Sequence, residues 1–403
     1  MTGVLDGYLV VEVANWLAAP SAGAVLADMG AKVIKIEQPN GDVWRWFRLS
    51  AAGYTANFPL NMAFETDNRG KRSVTVDLEN SDGRAVVLDL VRRADVFLTN
   101  LLPERRERYG LRPEDLQPLN ERLIYASFSG YGSTGDDRNR LGFDYAAFWS
   151  RSGIMGLLGE PGMAPVLQRG GMGDHSTCMA ITTGILAALL DREKTGRGQV
   201  VETSLLSMGL WVLGVDVSAA LYAKEQPRKP TRQQPANPIW NTYLTKDGRW
   251  ILLVMPLYQP YWPNVARAIG RPELATDPHY ATLDAAQARA GEIVGMLESA
   301  FATRTLAEWR PILDEHRVIW ALVQEMPEVI ADAQARAMEC FVPVDHPTIG
   351  RFETVAAPFQ LSDAPLRPQG AAPEVGQHTE EVLLELGYDW DRISALREQG
   401  ALG

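Results

Sequence analysis

The sequence predicts an α/β protein whose main part is a doubly wound parallel sheet covered by helices. Short β-branched runs alternate with helical stretches from Leu9 to about Ser129, and this alternation is typical of such a sheet. At 403 residues the chain is also long enough for two domains and can bury a large core without crosslinks.

The elements of this sheet follow one another in a regular order. Strands are predicted at 9–13, 32–36, 73–77, 95–99 and 123–128, with helices at 20–30, 82–93 and 113–119. Ligands of doubly wound sheets bind beyond the carboxyl ends of the strands. Asn15-Trp16 and Asn100-Leu101 follow two of the predicted strands, so we expect a ligand near them.

The second half of the chain predicts a smaller inserted α+β domain. The chain first continues with a helix at 176–191, a strand at 199–206 and an apolar helix at 208–224. The proline-rich segment 226–235 follows and is a linker or a flexible active-site loop. A hairpin is expected at 241–255 about Asp247-Gly248, then helices over most of 261–316, strands at 341–361 and helices at 379–386 and 391–398. The predicted domains are therefore 1–225 and 331–403 for the large domain and 226–330 for the linker and small domain.

Composition excludes several classes of protein. A formal charge of −11 argues against binding to duplex nucleic acid. Two local clusters of basic residues either bind a small anion or are ordinary solvated surface charge. The first is Arg69, Lys71 and Arg72, and the second is Arg105, Arg106 and Arg108. With two cysteines, no signal-peptide pattern and no long apolar stretch, we expect a cytoplasmic protein that is neither exported nor bound to membranes.

Common catalytic motifs do not occur in the sequence. It contains no G-x-G-x-x-G after the first strand, no P-loop, no H-E-x-x-H and no G-x-S-x-G. The five histidines are scattered without metal-ligand spacing, so no metal site is predicted. Dehydrogenase, P-loop kinase, zinc protease and serine hydrolase functions are all disfavoured.

Asp174 lies in a glycine-rich segment directly ahead of the helix predicted at 176–191. The glycines allow a tight turn and close approach of a ligand, and a helix N-terminus should keep the carboxylate ionised. Asp174 is therefore either a helix cap or a nucleophile. Its neighbour His175 is a further functional candidate or an ordinary hydrogen-bonded residue of the first helical turn.

The segments around Asp174 resemble the signature of the class III CoA-transferases. The matching residues are Gly173-Asp174, 184–189 and Arg192 to Gln199. Further matches are 5–7, 18–20, 30–37, Asn68 to Ser73, Asn100-Leu101 and Arg108 to Gly110, which extend the resemblance over roughly the first half of the chain.

This resemblance implies a fold and a reaction. The fold is a Rossmann-like large domain built from both chain ends, with a small inserted domain, in an interlocked homodimer. The reaction moves CoA from an acyl-CoA to a small carboxylic acid, with Asp174 forming anhydride and aspartyl-CoA thioester intermediates. Acyl-CoA is a substrate here, and no permanently bound cofactor is implied.

The resemblance also assigns site residues by position. The implied CoA contacts are Asn15, Trp16, Leu17, Ala18, Lys71, Arg72, Asn100, Leu101 and Arg108. The implied substrate-side residues are Phe143, Asp144, Phe148, Gly171 and Gly173, with the glycines at 170, 171 and 173 giving the anhydride room. Departures from formyl-CoA transferase lie at 15–17, at Gln38 and in a glycine-rich lid that has no counterpart.

Two other functions compete with CoA transfer. An acyl-CoA racemase of the same fold needs a histidine where this chain has Phe143 in Gly142-Phe143-Asp144, and phenylalanine cannot move a proton. A non-catalytic acyl-CoA binding protein would make Asp174 dispensable. The stretch 143–153 looks most like the branch acting on 2-hydroxyacyl and enoyl-CoA esters, and its aromatic residues suit either an apolar acyl chain or a helix core.

Overall fold

The structure is a computed structural model that describes residues 3–403. Met1 and Thr2, where the predicted large domain begins, lie outside the described residues. The strands are β1 Leu9–Val13, β2 Lys32–Glu37, β3 Arg72–Thr75, β4 Val96–Thr99, β5 Ile124–Ser129, β6 Val200–Ser204, β7 Trp240–Leu244, β8 Trp250–Val254, β9 Trp320–Leu322, β10 Phe341–His346 and β11 Gly350–Val355. The α-helices up to the end of the central region are α1 Ala18–Asp28, α2 Met62–Asn68, α3 Ser81–Val91, α4 Pro103–Tyr109, α5 Pro113–Leu116, α6 Ile154–Leu157, α7 Met172–Thr195, α8 Leu205–Val212 and α9 Gly214–Ala223.

The later helices are shorter on average. They are α10 Tyr258–Ala268, α11 Leu283–Ala288, α12 Ala290–Phe301, α13 Leu306–Glu315, α14 Met326–Ala331, α15 Ala333–Ala337, α16 Thr379–Glu385 and α17 Trp390–Glu398. Short 3-10 turns occur at Val43–Trp46, Leu49–Ala52, Gln117–Leu119 and Pro272–Ala275, and a π-helix spans Tyr145–Arg151.

The first six strands form one parallel sheet in the order β3-β2-β1-β4-β5-β6. In its centre Val11 lies opposite Ile34 on one side and Phe97 on the other. All three are buried, because helices cover both faces of a doubly wound sheet and its strands can be apolar throughout. The predicted α/β class with a parallel sheet is confirmed. The strand order reverses between β1 and β4, which is where such sheets bind ligands.

Contacts among residues 3–403 divide this part of the chain into two compact units. The first unit comprises the described residues up to Gly156, together with Leu167–Ala223 and Gln334–Gly403. Its C-terminal segment completes the edge of the sheet, because the His378 amide donates to Ser73 O at 2.9 Å and the Asp77 amide donates to Ala401 O at 3.0 Å.

The second unit comprises Leu157–Val166 and Lys224–Ala333. It contains the antiparallel sheet β7-β8-β9 and a core built on Trp262, Phe301 and Trp309. The hairpin β7–β8 turns at Asp247-Gly248 as expected, whereas the three-residue β9 has no pattern long enough to be recognised in the sequence. The predicted domain limits at 225 and 330 stay a prediction.

Some predicted elements differ from the structure. The helix expected at 208–224 is two helices, α8 and α9, bent by 80°. Ser204 caps α8 and starts it early, and Gly214 follows the break, where glycine weakens helix continuity. The strands expected to reach 361 end at Val355. Among the described residues no single helix has the length and apolar composition to cross a bilayer, although α8 and α9 taken together would satisfy both criteria.

Candidate active site

The loops that follow β1 and β4 are joined by side-chain hydrogen bonds. The Asn15 amide donates to Asn100 Oδ1 at 3.1 Å, and Asn100 Nδ2 donates to Asn15 O at 2.6 Å. Leu17, Ala18 and Leu101 are buried at the same edge of the sheet. The structure therefore brings together two segments, 85 residues apart in the chain, that the sequence places in one CoA site.

Trp16 lies in this edge with an unusual backbone conformation. Its φ is +67°, which costs a non-glycine residue energy, and its amide donates to Asp42 Oδ1 at 3.1 Å. The indole is 40% exposed and meets the half-exposed ring of Phe143 edge to face at 5.0 Å between centroids. Strained backbone held by a buried carboxylate presents an aromatic surface to solvent, which is the arrangement expected where a ligand docks.

Asp174 occupies the first turn of α7. The helix begins at Met172, four residues before the predicted start, and its N-cap is Gly171 with φ +87°. Asp174 is therefore inside the helix and does not cap it, so of the two alternatives, helix cap and nucleophile, the helix cap is wrong. Without a capping role, its half-buried carboxylate is available for chemistry.

Asp144 supplies the acceptors that the start of α7 lacks. Its Oδ2 accepts the Gly171 amide at 2.7 Å and its Oδ1 accepts the Gly173 amide at 3.2 Å. Free amides at a helix N-terminus favour a negative charge, and here a carboxylate from a distant segment provides it. Asp144 thus fixes the start of the helix that carries Asp174.

Gly173 permits close packing here, whereas the family resemblance implied that it leaves room for the anhydride. A Cβ at Gly173 would lie 2.3 Å from Asp144 Oδ1 and 2.3 Å from Phe148 Cγ. The expected role is corrected: the space beside Gly173 is filled by protein. Phe148 is buried against this glycine, whereas Phe143 is exposed. Of these two aromatic rings, only that of Phe143 is open to a substrate.

The ionisation of Asp174 also differs from expectation. Burial and the neighbouring charge of Asp144 raise the pKa of Asp174 to about 7, against the opposing effect of His175. The helix N-terminus was expected to keep the carboxylate fully ionised, but burial and a second carboxylate outweigh it. A carboxyl group poised near neutral pH is typical of reactive sites.

His175 is the next residue and makes one well-defined contact. Its Nε2 lies 3.0 Å from Asp67 Oδ1, and the other side of the imidazole is open, with half of the side chain exposed. Burial lowers the pKa of His175, but the hydrogen bond and charge of Asp67, together with the charge of Asp174, outweigh it and raise that pKa above its usual value. The contact with Asp67 therefore holds the imidazole in place and favours its protonated form.

The basic residues expected at the CoA phosphates are differently placed. Lys71 is buried, and its Nζ contacts Glu12 Oε2 at 2.8 Å and Pro20 O at 2.7 Å, so its charge is not presented to a ligand. Arg72 pairs with Glu381 and Glu385 on α16. Arg108 is largely exposed and pairs with Glu79 at 2.6 Å. Of the three, Arg108 is the most accessible to an anion.

Asp67 is the site residue that sequence reasoning missed. It lies in the helical segment 62–68, directly before the matching segment Asn68 to Ser73, but a lone aspartate on a helix gives no signal of its partners. The side chains that meet it come from α1, α7 and the turn at 43–46. Among residues 3–403, no three His, Cys, Asp or Glu side chains form a group suited to hold a metal ion.

Comparison with known proteins adds to this geometry. The family model for CoA-transferase family III matches residues 5–379. The chain is 31% identical to the cinnamoyl-CoA:phenyllactate CoA-transferase of Clostridium sporogenes, covering 98% of this chain and 97% of that protein. It is also 31% identical to the (R)-2-hydroxy-4-methylpentanoate CoA-transferase of Clostridioides difficile, with 98% of each chain covered.

A solved structure agrees with these relatives. The crystal structure of a CAIB/BAIF family protein from Brucella suis superimposes with a TM-score of 0.83 at 29% identity, covering 96% of this chain and 100% of that one. The resemblance inferred from the segments around Asp174 is thus confirmed over nearly the whole chain. Fold and sequence agree: the protein belongs to CoA-transferase family III and is a CoA-transferase.

Proposed function

We propose that the enzyme transfers CoA through covalent intermediates on Asp174. An Asp174 oxygen attacks the carbonyl carbon of the donor thioester, the C–S bond breaks, and CoA leaves as a thiolate. The thiolate then attacks the aspartyl carbonyl of the mixed anhydride, which releases the donor acid and leaves an aspartyl-CoA thioester. The observation that supports this most is the Asp174 carboxylate itself: it lies in the first turn of α7 without capping the helix, and burial and the charge of Asp144 raise its pKa to about 7.

The second half of the reaction reverses these steps with the acceptor. An acceptor carboxylate attacks the aspartyl thioester, the thiolate leaves, and a new anhydride forms between the acceptor and Asp174. Attack of the thiolate on the acceptor acyl carbon gives the product acyl-CoA and regenerates the Asp174 carboxylate. Every step exchanges acyl groups between carboxylates and a thiolate, so it needs no net proton transfer but requires water to be excluded.

Replacement of Asp174 tests this proposal. Asp174→Ala should lower CoA transfer by roughly 10⁴-fold or more, because the covalent route is lost, while CoA binding stays within about tenfold. Asp82→Asn is a matched control, since Asp82 is an exposed aspartate in the first turn of α3. Substantial turnover by Asp174→Ala would contradict the covalent route and would favour a protein that only binds acyl-CoA.

Hydroxylamine provides an independent chemical test. It cleaves anhydrides and thioesters to give a hydroxamate, so inactivation should occur only when acyl-CoA is present, with the modification found at Asp174 by peptide mass spectrometry. Equal inactivation without acyl-CoA would count against the intermediate.

The substrates we propose are apolar 2-hydroxyacyl or enoyl-CoA esters. The exposed edges of Trp16 and Phe143 form an aromatic surface near the start of α7, and two relatives are named for phenyllactate and 2-hydroxy-4-methylpentanoate. Incubation in D2O with a panel of acyl-CoAs and free acids, read by mass spectrometry, tests this. New acyl-CoA without α-deuterium supports transfer, whereas deuterium in the original ester without exchange of CoA would instead show a racemase.

We also propose that the enzyme is a homodimer with interlocked subunits. The helices α8 and α9 carry exposed apolar side chains at Leu210, Trp211, Val215, Leu221 and Tyr222, from 40% to 93% exposed. Light scattering should give twice the 44.5 kDa chain mass at micromolar concentration. A monomeric mass there would rule out this assembly.

A further inference from the structure

Asp67 is a buried carboxylate that contacts donors from three other segments. Its Oδ1 accepts Ser21 Oγ at 2.9 Å and lies 3.0 Å from His175 Nε2, while its Oδ2 accepts Trp44 Nε1 at 2.9 Å. With its side chain only 2% exposed and both oxygens engaged, the Asp67 carboxylate has a fixed orientation. It can therefore orient the His175 imidazole, half of whose side chain remains exposed.

Three carboxylates surround this imidazole and act on one another. The charges of Asp67 and Asp144 both disfavour ionisation of Asp174, and His175 favours ionisation of both Asp144 and Asp174. Other charged or titratable groups nearby are already committed or buried: Arg69 binds Asp28 through Nε and Nη2, Lys71 pairs with Glu12, and Cys178 is a buried thiol. His175 is thus the basic group left to offset the negative charge of Asp67, Asp144 and Asp174.

We propose that Asp67 and His175 form a pair that promotes ionisation of Asp174 for attack, with Asp67 positioning the imidazole and the protonated imidazole offsetting part of the negative charge of Asp144 and Asp174. The inference rests on the proposed function of Asp174. His175 is a positioning residue in this arrangement: it acts through the Asp174 carboxylate and takes no part in bond making.

The physical basis is a reciprocal coupling between two neighbouring charges. If ionised Asp174 stabilises protonated His175, then protonated His175 stabilises ionised Asp174 by the same free energy. Asp67 strengthens this because a fixed hydrogen bond on Nε2 both holds the ring and favours the charged imidazole. Replacing either partner should therefore shift the titration of the other.

A nuclear magnetic resonance titration tests the pair without any turnover. The imidazole signals of His175, identified by their loss in His175→Gln, are followed against pH in the wild-type protein, Asp67→Asn and Asp174→Asn. We expect the His175 midpoint to fall in both aspartate variants. An unchanged midpoint in Asp174→Asn would overturn the inference, and so would an unchanged midpoint in Asp67→Asn. Asp82→Asn is the control that should leave it unmoved.

A kinetic measurement tests the consequence for the reaction. The acid limb of kcat/KM, measured with cinnamoyl-CoA and phenyllactate, should move to higher pH in His175→Gln, because Asp174 then ionises less readily. His175→Arg, which restores a cation, should move the limb back. If His175→Gln leaves the limb in place, or if arginine fails to restore it, the inference is wrong.

The two proposals fail in different ways. If the inference is wrong but the proposed function is right, CoA transfer and hydroxylamine trapping at Asp174 are intact. The His175 titration midpoint then does not respond to Asp174→Asn. If the proposed function is wrong, hydroxylamine does not modify Asp174 in the wild-type protein. Nuclear magnetic resonance then still shows whether the titrations of His175 and Asp174 are coupled.

Discussion

Two groups of buried acids lie on the first unit, and they differ in how their charge is compensated. The first surrounds Lys35, whose Nζ lies 3.0 Å from Glu12 and 2.9 Å from Asp42, while Lys71 and Arg45 pair with Glu12 and Glu37. We call these six residues the ion-pair cluster. It contains three acids and three bases.

The second group is the site around Asp174. Its three acids, Asp67, Asp144 and Asp174, are accompanied by one titratable base, His175. The remaining contacts are made by neutral donors such as Trp44 and the backbone of Gly171. In the ion-pair cluster, the charges of Asp42, Glu12 and Glu37 raise the pKa of Lys35 although burial works against it. In the site, burial and excess negative charge raise the pKa of the carboxyl group itself.

The difference separates a structural role from a reactive one. Balanced, fully buried ion pairs hold elements together and are costly to break. An acid left with too little positive charge is destabilising when ionised, and such groups are concentrated at functional sites. Asp42 links the ion-pair cluster to the loop after β1, because it pairs with Lys35 and also accepts the Trp16 amide.

Breaking the ion-pair cluster should have the largest effect. Lys35→Met leaves Glu12 and Asp42 buried with too little positive charge, so we expect the free energy of unfolding to fall by about 3–5 kcal/mol. Urea denaturation at pH 7 measures this. Lys32→Met removes an exposed lysine from the same strand and should change stability by less than about 0.5 kcal/mol. Similar stabilities of the two variants would show that the cluster is not structural.

The opposite sign is expected in the site. The pKa of Asp174 is raised from an unfolded value near 3.8 to about 7. The folded state therefore favours the protonated acid, with full benefit below pH 3.8 and loss as the pH rises through 7. Asp174→Asn should stabilise the protein at pH 8 by roughly 1–3 kcal/mol, a figure reduced for partial exposure, with the gain vanishing towards pH 4. Destabilisation at pH 8 would contradict the contrast between the two regions.

Asp144 should tune this reactivity. Asp144→Asn removes the nearest negative charge, so the pKa of Asp174 should fall and the acid limb of kcat/KM should move to lower pH. The pKa of Asp174 should nevertheless remain above 3.8, because burial is the larger cause of its shift. Measurement of kcat/KM against pH checks both limits. An acid limb that stays in place would mean that Asp144 acts only as the acceptor for the Gly171 and Gly173 amides.

The smallest effect concerns the aromatic surface. Phe143→Ala removes the edge-to-face partner of Trp16, an interaction worth about 0.5–1.5 kcal/mol. We expect KM for an aromatic acyl-CoA to rise roughly 2- to 10-fold, with KM for a short acyl-CoA little changed. Trp390→Ala, which removes an exposed indole from α17, is the control and should change neither. Equal effects on both substrates would show that Phe143 has no part in selectivity.

Much of the fold followed from local patterns. Buried β-branched runs predicted β1 to β6 to within a few residues, and turn residues such as Asp247-Gly248 predicted the β7–β8 hairpin. These predictions succeeded because strand and turn preferences depend on neighbours in the chain. The short β9 and the bend between α8 and α9 were missed, because packing decides them and local pattern does not.

The candidate site, like the fold, was only partly predictable from the sequence. By itself the sequence determined the family resemblance, and it predicted Asp174 and the segments 15–18 and 100–101 as parts of the site. Only the tertiary structure decided that Asp144 caps α7, that Lys71 is buried and that Asp67 holds His175. Motifs record which residues are close in the chain, whereas pKa values and ion pairs depend on burial and on charges contributed from distant segments. Those quantities exist only once the chain has folded.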